Sequence, residues 1–177
     1  LSHLVTQMER TKAVVSGSSI LYVYFLDLNK IFQFGPYGPG HCTNGTMSYR
    51  KEYLKNHKYE DTAKMAEEKV FLDGFKGQVL QLDPYKVILC IAHSDNTFYK
   101  HNLIVCHSKV RKETKLKIKD FVKDKNMLQF YAQLSKEAID KLKTNDIVNI
   151  TDKISKLSVK DSSSIQSHNI TATVENN

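Results

Sequence analysis

The stretch from Tyr85 to Lys125 constrains the fold of this chain more than any other part of the sequence. It holds two apolar runs, YKVILCIAH and TFYKHNLIVCHS, separated by turn-forming residues at positions 94–96. A charged amphipathic segment, ETKLKIKDFVKDK, follows within a few residues. This order predicts a long antiparallel hairpin over residues 85–108 that leads into a surface helix, and therefore a β-rich domain closed by one helix.

Length and composition fit one globular domain that is large enough for a sizeable core. The chain has 177 residues, of which 41% are hydrophobic and 25% are charged. No apolar run approaches the roughly 18 residues needed to span a bilayer. The formal net charge is +7, but the lysines are spread along the chain with acidic residues among them. This pattern predicts a solvated basic surface and argues against a nucleic-acid site, where the charge would be concentrated.

The strongest local patterns divide the chain into three parts. Residues 1–18 begin polar and end in serine and glycine, which predicts an N-terminal lead-in. Residues 19–157 form the domain itself. Within it, ILYVYFLDL at 20–28 predicts a buried strand, and the apolar spacing over 127–142 predicts a helix. The serine- and asparagine-rich residues 158–177 predict a flexible polar tail.

The patterns are weaker between the first strand and the predicted hairpin. Three glycines and two prolines over residues 34–40 predict a wide loop. Residues 42–54 have moderate strand character, and 69–75 with 78–82 predict a short hairpin about a glycine-containing turn. The polar residues 55–68 are compatible with a strand, a short helix or a connection.

The cysteines exclude two common kinds of site. Cys42, Cys90 and Cys106 are odd in number and form no CxxC, so the sequence predicts neither a zinc cage nor a thioredoxin-type motif. A catalytic Cys–His pair, such as Cys106 with His107 or Cys90 with His93, stays open as an alternative because such partners meet in space. Both of these cysteines lie in apolar runs, which favours inert core thiols.

Three N-glycosylation sequons indicate a secreted protein. Asn44, Asn149 and Asn169 each begin an N-x-Thr sequence in or beside a polar segment, where an oligosaccharide could be accommodated. The sequence also begins with Leu1 instead of an initiator methionine, as in a mature product whose targeting segment has been removed. We therefore predict secretion and glycosylation.

Motifs for catalysis are scarce, and the sequence predicts no enzyme. It contains no GxSxG, P-loop, GxGxxG or HExxH. On the predicted hairpin, His101 and His107 share a face but stand about 20 Å apart at ~3.3 Å per residue, which is too far for one metal. With His93, they are predicted to be edge or surface histidines. His57, in the polar segment KNHKYED, is a candidate metal ligand by residue type alone.

Six tyrosines fall on predicted strands and are candidate ligand-binding residues. An apolar ring with a polar tip suits a packed core, and it also suits the mouth of a cavity that orients a small molecule. Both interpretations stay open. The six residues are Tyr22, Tyr24, Tyr49, Tyr53, Tyr85 and Tyr99.

The order of these features resembles a lipocalin, most nearly the secreted salivary lipocalins of blood-feeding bugs, the group that includes nitrophorins and triabin-like proteins. SGSSILYVYFLDL resembles the first barrel strand, with Leu21 at the position of the usual Trp. GHCTNGT, around Cys42, resembles the start of the second strand. KVILCIAHSDNTFYKHNLIV resembles the last strand pair, and ETKLKIKDFVKDKNM resembles the helix outside the barrel. The resemblance covers residues 20–142.

This resemblance implies a mostly β fold, a single antiparallel up-and-down β-barrel or calyx with one or two C-terminal helices packed outside. It implies a secreted protein that sequesters or carries a small, largely hydrophobic ligand in the barrel, and the basic charge would favour an anionic one. No cofactor is predicted from motifs, but His57 lies near the position of the nitrophorin haem ligand, which implies haem there. The family's disulfide partners are absent, so a Cys42–Cys90 bridge or free thiols stay open.

The alternative function is a protein-interaction module or a host-directed inhibitor that acts through its surface. Such a protein would use the same kind of β scaffold with a filled core and no bound ligand. An empty volume beside the apolar strands would favour ligand binding, whereas a solid core would favour surface recognition.

Overall fold

A computed structural model describes residues 2–60, 62, 67–94, 96, 99–105 and 109–165, with the backbone alone over 146–165. The described residues form five α-helices and seven β-strands. The helices are α1 Ser2–Thr11, α2 Glu68–Phe71, α3 Asn102–Val105, α4 Ile118–Phe121 and α5 Lys125–Ile165. The strands are β1 Val15–Gly17, β2 Leu21–Phe25, β3 Lys30–Phe34, β4 Ser48–Tyr49, β5 Leu80–Gln81, β6 Leu89–Ala92 and β7 Arg111–Glu113.

The strands form two small open sheets. In the first sheet the order is β4–β1–β5, with β1 antiparallel to β4 and parallel to β5. In the second sheet the order is β6–β2–β3–β7. Strand β2 is antiparallel to β3 and parallel to β6, and β3 is antiparallel to β7. The prediction of a single antiparallel up-and-down β-barrel is therefore wrong, because both sheets are mixed or short and neither closes on itself.

Strand β2 is central in the second sheet because apolar side chains cover both of its faces. Alternation along the strand places Tyr22 and Tyr24 on one face and Val23 and Phe25 on the other, and all four are buried. An apolar run without polar alternation is typical of a strand with a layer on each side. The buried strand predicted over residues 20–28 is confirmed over Leu21–Phe25, whereas residues 26–28 belong to the turn that follows.

Helix α5 forms the layer on the tyrosine face of this sheet. Its residues Tyr131, Leu134 and Ala138 pack against the cluster that contains Tyr22 and Tyr24. Helix α3 contributes to the layer on the opposite face, beside Val23 and Phe25. The helix predicted over residues 127–142 is confirmed and extends at both ends.

The hairpin predicted over residues 85–108 is wrong. Its first half forms β6, which pairs in parallel with β2 and not with the second apolar run. Part of that second run, Asn102–Val105, forms the single helical turn α3, and residues 106–108 lie outside the described residues. An apolar run of four to eight residues fits a strand or a buried helical turn, so its pattern alone does not decide between them.

Other weak strand patterns gave helical turns. Residues 42–54 contain only the two-residue strand β4, with 3₁₀ turns on either side, and 69–75 form α2 and a further 3₁₀ turn. Strand β5 is therefore not part of a hairpin; it pairs in parallel with β1. The amphipathic residues 113–125 form only the one-turn helix α4 before α5 begins.

Parts of both predicted terminal segments belong to regular elements. Within the predicted lead-in, Ser2–Thr11 forms α1 and Val15–Gly17 forms the buried strand β1, which lies in the middle of the first sheet. Residues 158–165 of the predicted polar tail continue α5. The rest of that tail lies outside the described residues.

Candidate functional site

A cavity of about 440 Å³ lies between the second sheet and α5, and we call it the edge cavity. On the sheet side it is lined by Leu26, Asp27, Ile91, His93 and Ser94. On the helix side it is lined by Leu134, Glu137, Ala138, Lys141, Leu142 and Asn145. The lining therefore combines an apolar wall with several polar groups, which is the usual composition of a small-molecule site.

The position of the edge cavity follows from the parallel pairing of β2 and β6. The two strands are in register at Phe25 and Ala92, and the backbone N–H of Leu26 donates to the Ala92 carbonyl at 3.1 Å. Both strands therefore end on the same side of the sheet, and the residues that directly follow them, Leu26 and His93, begin the cavity wall. In open sheets, ligands bind outside the carboxyl ends of parallel strands, because the departing loops leave a crevice there.

Helix α5 presents two adjacent rows of side chains to the edge cavity. Leu134, Ala138 and Leu142 form an apolar row at four-residue spacing, and Glu137, Lys141 and Asn145 form a polar row beside it. This face of the helix is attached to the residue that directly follows β2.

Ser135 provides that attachment. Its side chain is buried, at 3% exposure, and its hydroxyl donates to the Leu26 carbonyl in a short hydrogen bond. The Leu26 carbonyl also accepts the backbone N–H of Asn29 at 3.3 Å, within the turn that follows β2. The Ser135 hydroxyl therefore adds a second, shorter hydrogen bond to this carbonyl and holds the helix wall of the edge cavity against the end of the strand.

Asp27 is the most enclosed carboxylate of the cavity wall, and it forms a pair with His101. The Oδ2 atom of Asp27 lies 2.6 Å from Nε2 of His101, and the two side chains are 16% and 17% exposed. The contact does not have the geometry of a hydrogen bond, so it is a close polar contact between the imidazole and the carboxylate. The second oxygen of Asp27, Oδ1, is buried and contacts no hydrogen-bond donor in the described part of the chain.

Aromatic rings hold the imidazole of His101 in place. The ring of Tyr99 stacks on it at 4.8 Å between centroids, and Phe25 meets it edge to face at 5.2 Å. Phe25 belongs to the buried core of the second sheet, so the imidazole is anchored to the strand that carries Asp27. Positioning by a rigid strand gives the pair a defined place at the cavity wall.

His93 and Asn96 form a hydrogen-bonded turn at the entrance of the edge cavity. The backbone N–H of His93 donates to Oδ1 of Asn96 at 3.0 Å, which fixes the orientation of the amide. Nδ2 of Asn96 then lies 2.9 Å from Nε2 of His93 and donates to it. These two contacts hold the His93 side chain against its own turn.

The six candidate tyrosines do not meet in one cavity. Tyr22 and Tyr85 pack together at 5.0 Å between ring centroids, and both contact Phe121. Burial, with a hydrogen bond to Tyr85, raises the pKa of Tyr22 well above its ordinary value. Tyr24 is buried in the same core cluster as Tyr22 and donates its hydroxyl to Asn29.

The remaining tyrosines lie in two other places. Tyr49 and Tyr53 pack with Phe71 in the core of the first sheet, where burial raises the pKa of Tyr53. Tyr99 is half-exposed and reaches the candidate site only through its stack on His101. None of the six lines the edge cavity.

His57 lies far from a haem-like environment. Its ring stacks on Tyr53 at 3.7 Å, and its Nδ1 lies 3.0 Å from the Tyr53 carbonyl oxygen. Its neighbours in the chain, Lys55, Asn56 and Lys58, are exposed and polar. These residues do not fit a porphyrin, which needs an apolar pocket, and haem at His57 stays an untested prediction.

Cys42 and Cys90 are free thiols and belong to different cores. Cys42 is fully buried in the core of the first sheet, and burial raises its pKa to about 12. Burial also raises the pKa of Cys90. A Cys42–Cys90 bridge is therefore not formed, and Cys106 lies outside the described residues.

Of the three sequons, only the side chain of Asn44 is described. Asn44 is exposed in a 3₁₀ turn, where its amide donates to Glu67 at 2.9 Å and accepts from Tyr59 at 2.8 Å. Asn149 lies within α5, in the part where only the backbone is described, and Asn169 lies outside the described residues.

A second buried histidine–carboxylate pair lies in the first half of the chain. Nε2 of His41 is 3.6 Å from Oε1 of Glu68, and the two side chains are 11% and 14% exposed. The imidazole lies between the rings of Tyr37 and Phe75, at 4.6 and 4.7 Å. Burial lowers the pKa of His41, and the charge of Glu68 opposes this effect.

Sequence reasoning missed Asp27 and treated His101 as a surface residue. The available signal was an aspartate that directly follows a strongly apolar strand run, since polar residues at a strand's carboxyl end line sites in open sheets. That signal acquires meaning only with the parallel pairing of β2 and β6, which the predicted hairpin excluded.

The chain matches no protein-family model, no curated protein and no solved structure. Within the described ranges, no group of three or more His, Cys, Asp or Glu side chains could hold a metal ion. None of the described helices is both long and apolar enough to cross a membrane. The edge cavity is therefore the feature on which the proposed function rests.

Proposed function

We propose that this protein binds a small, largely hydrophobic ligand in the edge cavity. The observation that carries the proposal is the cavity at the carboxyl end of the parallel β2–β6 pair, with an apolar wall and the enclosed Asp27 carboxylate. Its volume of about 440 Å³ lies within the roughly 300–1,000 Å³ of ordinary ligand sites. This cavity replaces the barrel interior as the proposed binding site, and the proposal assigns no reaction to it.

The apolar wall would supply most of the affinity. A ligand that buries about 200 Å² of apolar surface gains roughly 5 kcal/mol at about 25 cal/mol per Å². Loss of translational and rotational freedom opposes this gain. Because a gain of about 5 kcal/mol alone corresponds to a dissociation constant of about 0.2 mM, we expect millimolar dissociation constants for small probes, with polar contacts setting orientation.

A pair of alanine variants on α5 tests the proposal. Ala138 lines the edge cavity, whereas Ala132 lies exposed on the same helix. In Ala138→Phe the added ring fills the cavity, so a neutral solvatochromic dye should lose most of its fluorescence enhancement. The matched variant Ala132→Phe adds the same ring in solvent and should bind the dye like the parent. Equal binding by both variants, or no binding by the parent, would contradict the proposal.

Secretion is also part of the proposal, supported by the exposed sequon at Asn44. A glycan there would displace the contacts of the amide with Glu67 and Tyr59, which are both partly buried. Expression through a secretory pathway should give protein in the medium whose mobility increases after glycosidase treatment. Part of that mobility change should disappear in Asn44→Gln. Protein retained in the cell without glycan would contradict this part of the proposal.

A further inference from the structure

We infer that the ligand of the edge cavity carries a positively charged nitrogen, such as a protonated amine, next to its apolar body. This inference rests on the proposed function and adds the chemical class of the ligand. Asp27 would be the counter-ion, and the apolar row of α5 would contact the body of the ligand.

The first support is the state of the Asp27 carboxylate. A carboxylate accepts about four hydrogen bonds, and in the described residues only His101 approaches it, at 2.6 Å and without good alignment. A mostly buried carboxylate with unused acceptor capacity is energetically costly, because it has lost water without full replacement. An ammonium group supplies both the opposite charge and up to three donors, and therefore offsets that cost.

The second support is the charge of the remaining lining. Glu137 and Lys141 stand one helical turn apart on the exposed rim, carry opposite signs, and are screened by solvent. His93 is paired with the side chain of Asn96 through Nε2. Asp27 is therefore the charged side chain of the lining that solvent screens least, and its sign decides which ligand is favoured.

The third support is the contrast between the local and the overall charge. The chain as a whole has a formal charge of +7, which by itself favours anionic ligands. That charge is spread over the solvated surface, where the Debye length of about 8 Å at physiological salt weakens its effect on a ligand inside the cavity. A short-range contact with an enclosed carboxylate is screened far less, so local chemistry prevails.

His101 is a positioning residue in this arrangement. It contacts one oxygen of Asp27 at 2.6 Å and is itself packed against Tyr99 and Phe25, which favours one orientation of the carboxylate. The incoming ammonium would share the carboxylate with the imidazole.

Three probes of equal length test the inference on the unmodified protein: n-hexylamine, 1-hexanol and hexanoate, titrated by calorimetry at neutral pH. Hexylamine should bind about tenfold more tightly than hexanol, the effect of one charge-assisted hydrogen bond. Hexanoate should bind more weakly than hexanol. Hexanoate binding as tightly as hexylamine would overturn the charge assignment while leaving the proposed function intact. Failure of all three probes to bind would overturn the proposed function as well.

Two variants that each remove one negative charge test whether Asp27 causes the preference for the amine. Asp27→Asn should lose about tenfold in affinity for hexylamine and keep its affinity for hexanol. Asp140→Asn removes the same charge from an exposed position on α5, outside the cavity lining, and should keep the preference for the amine. A preference for the amine that persists in Asp27→Asn would contradict the role of this carboxylate, and circular dichroism would check that the variant is folded.

Discussion

The protein contains two buried histidine–carboxylate pairs, and their surroundings differ. Asp27 and His101 lie 2.6 Å apart beside a cavity, whereas His41 and Glu68 lie 3.6 Å apart among packed aromatic rings. Both pairs are similarly buried. Enclosure of an ionisable pair therefore does not identify a site; the adjoining empty volume does. We expect the first pair to affect ligand binding and the second to affect only stability and its pH dependence.

The largest effect is expected from adding a methyl group to the packed surroundings of the His41–Glu68 pair. A Cβ atom at Gly40 would collide with the carbonyl oxygen of Phe75, whose ring packs on His41. Gly40→Ala should therefore lower the free energy of unfolding by about 3 kcal/mol, at the upper end of ordinary overpacking. Urea denaturation measures this, with Gly45→Ala as control because a Cβ there meets nothing within 4 Å. Equal stability of the two variants would contradict the packing described here.

A smaller loss is expected when the imidazole of the cavity pair is removed. His101→Ala leaves the Asp27 carboxylate enclosed without its partner, which should lower the free energy of unfolding by about 2 kcal/mol. In the double variant with Asp27→Asn the charge is also removed, so part of the loss should be recovered. Urea denaturation of the single and double variants measures the coupling. Strictly additive losses would show that the two groups do not interact.

An effect of about 1 kcal/mol is expected at the attachment of α5. Ser135→Ala removes the hydroxyl that donates to the Leu26 carbonyl and leaves this acceptor with only the longer hydrogen bond from the Asn29 N–H, at 3.3 Å. Thr144→Ala is the matched control, since its hydroxyl donates to the Asp140 carbonyl on the exposed side of the same helix. Thermal denaturation should separate the two variants by several degrees. A control that is destabilised as much as Ser135→Ala would contradict the proposed attachment.

The smallest effect concerns how stability at the His41–Glu68 pair depends on pH. Burial lowers the pKa of His41, so the folded state binds this proton less readily than the unfolded state, where an ordinary histidine titrates near about 6.5. Stability from the neutral imidazole is fully present above that value and falls as pH decreases below it. In His41→Phe the stability difference between about pH 7.5 and 5.5 should shrink. An unchanged pH profile would show that His41 does not contribute.

Local patterns were sufficient for the strand Leu21–Phe25, which is a dense run of apolar and aromatic residues, and for the helix over 127–142, which has a clear helical period. They failed over 85–108. Leu89–Ala92 forms a strand whose partner, β2, lies more than sixty residues earlier in the chain, and Asn102–Val105 is too short for its period to be read. No turn signal near residues 94–96 reports a partner so distant.

The candidate site could not be assembled from the sequence for the same reason. Asp27, His101 and Ala138 come from three separate segments and meet only after β6 pairs in parallel with β2. The tyrosines that the sequence selected were chosen for their strand context, and four of them serve as packing in two separate aromatic groups. An apolar ring with a polar tip suits such packing, but local spacing does not reveal which residues surround each ring.

Helix α5 is both a wall of the edge cavity and a rod that continues well past it. From Leu142 to its end at Ile165 it runs about 35 Å at 1.5 Å per residue. A tilt of about 5° at the cavity would displace the far end by about 3 Å, a distance comparable to a hydrogen bond. A ligand that changes the spacing between the helix and the strand end would thus act on a lever, and its arrival could be detected as motion far from where it binds.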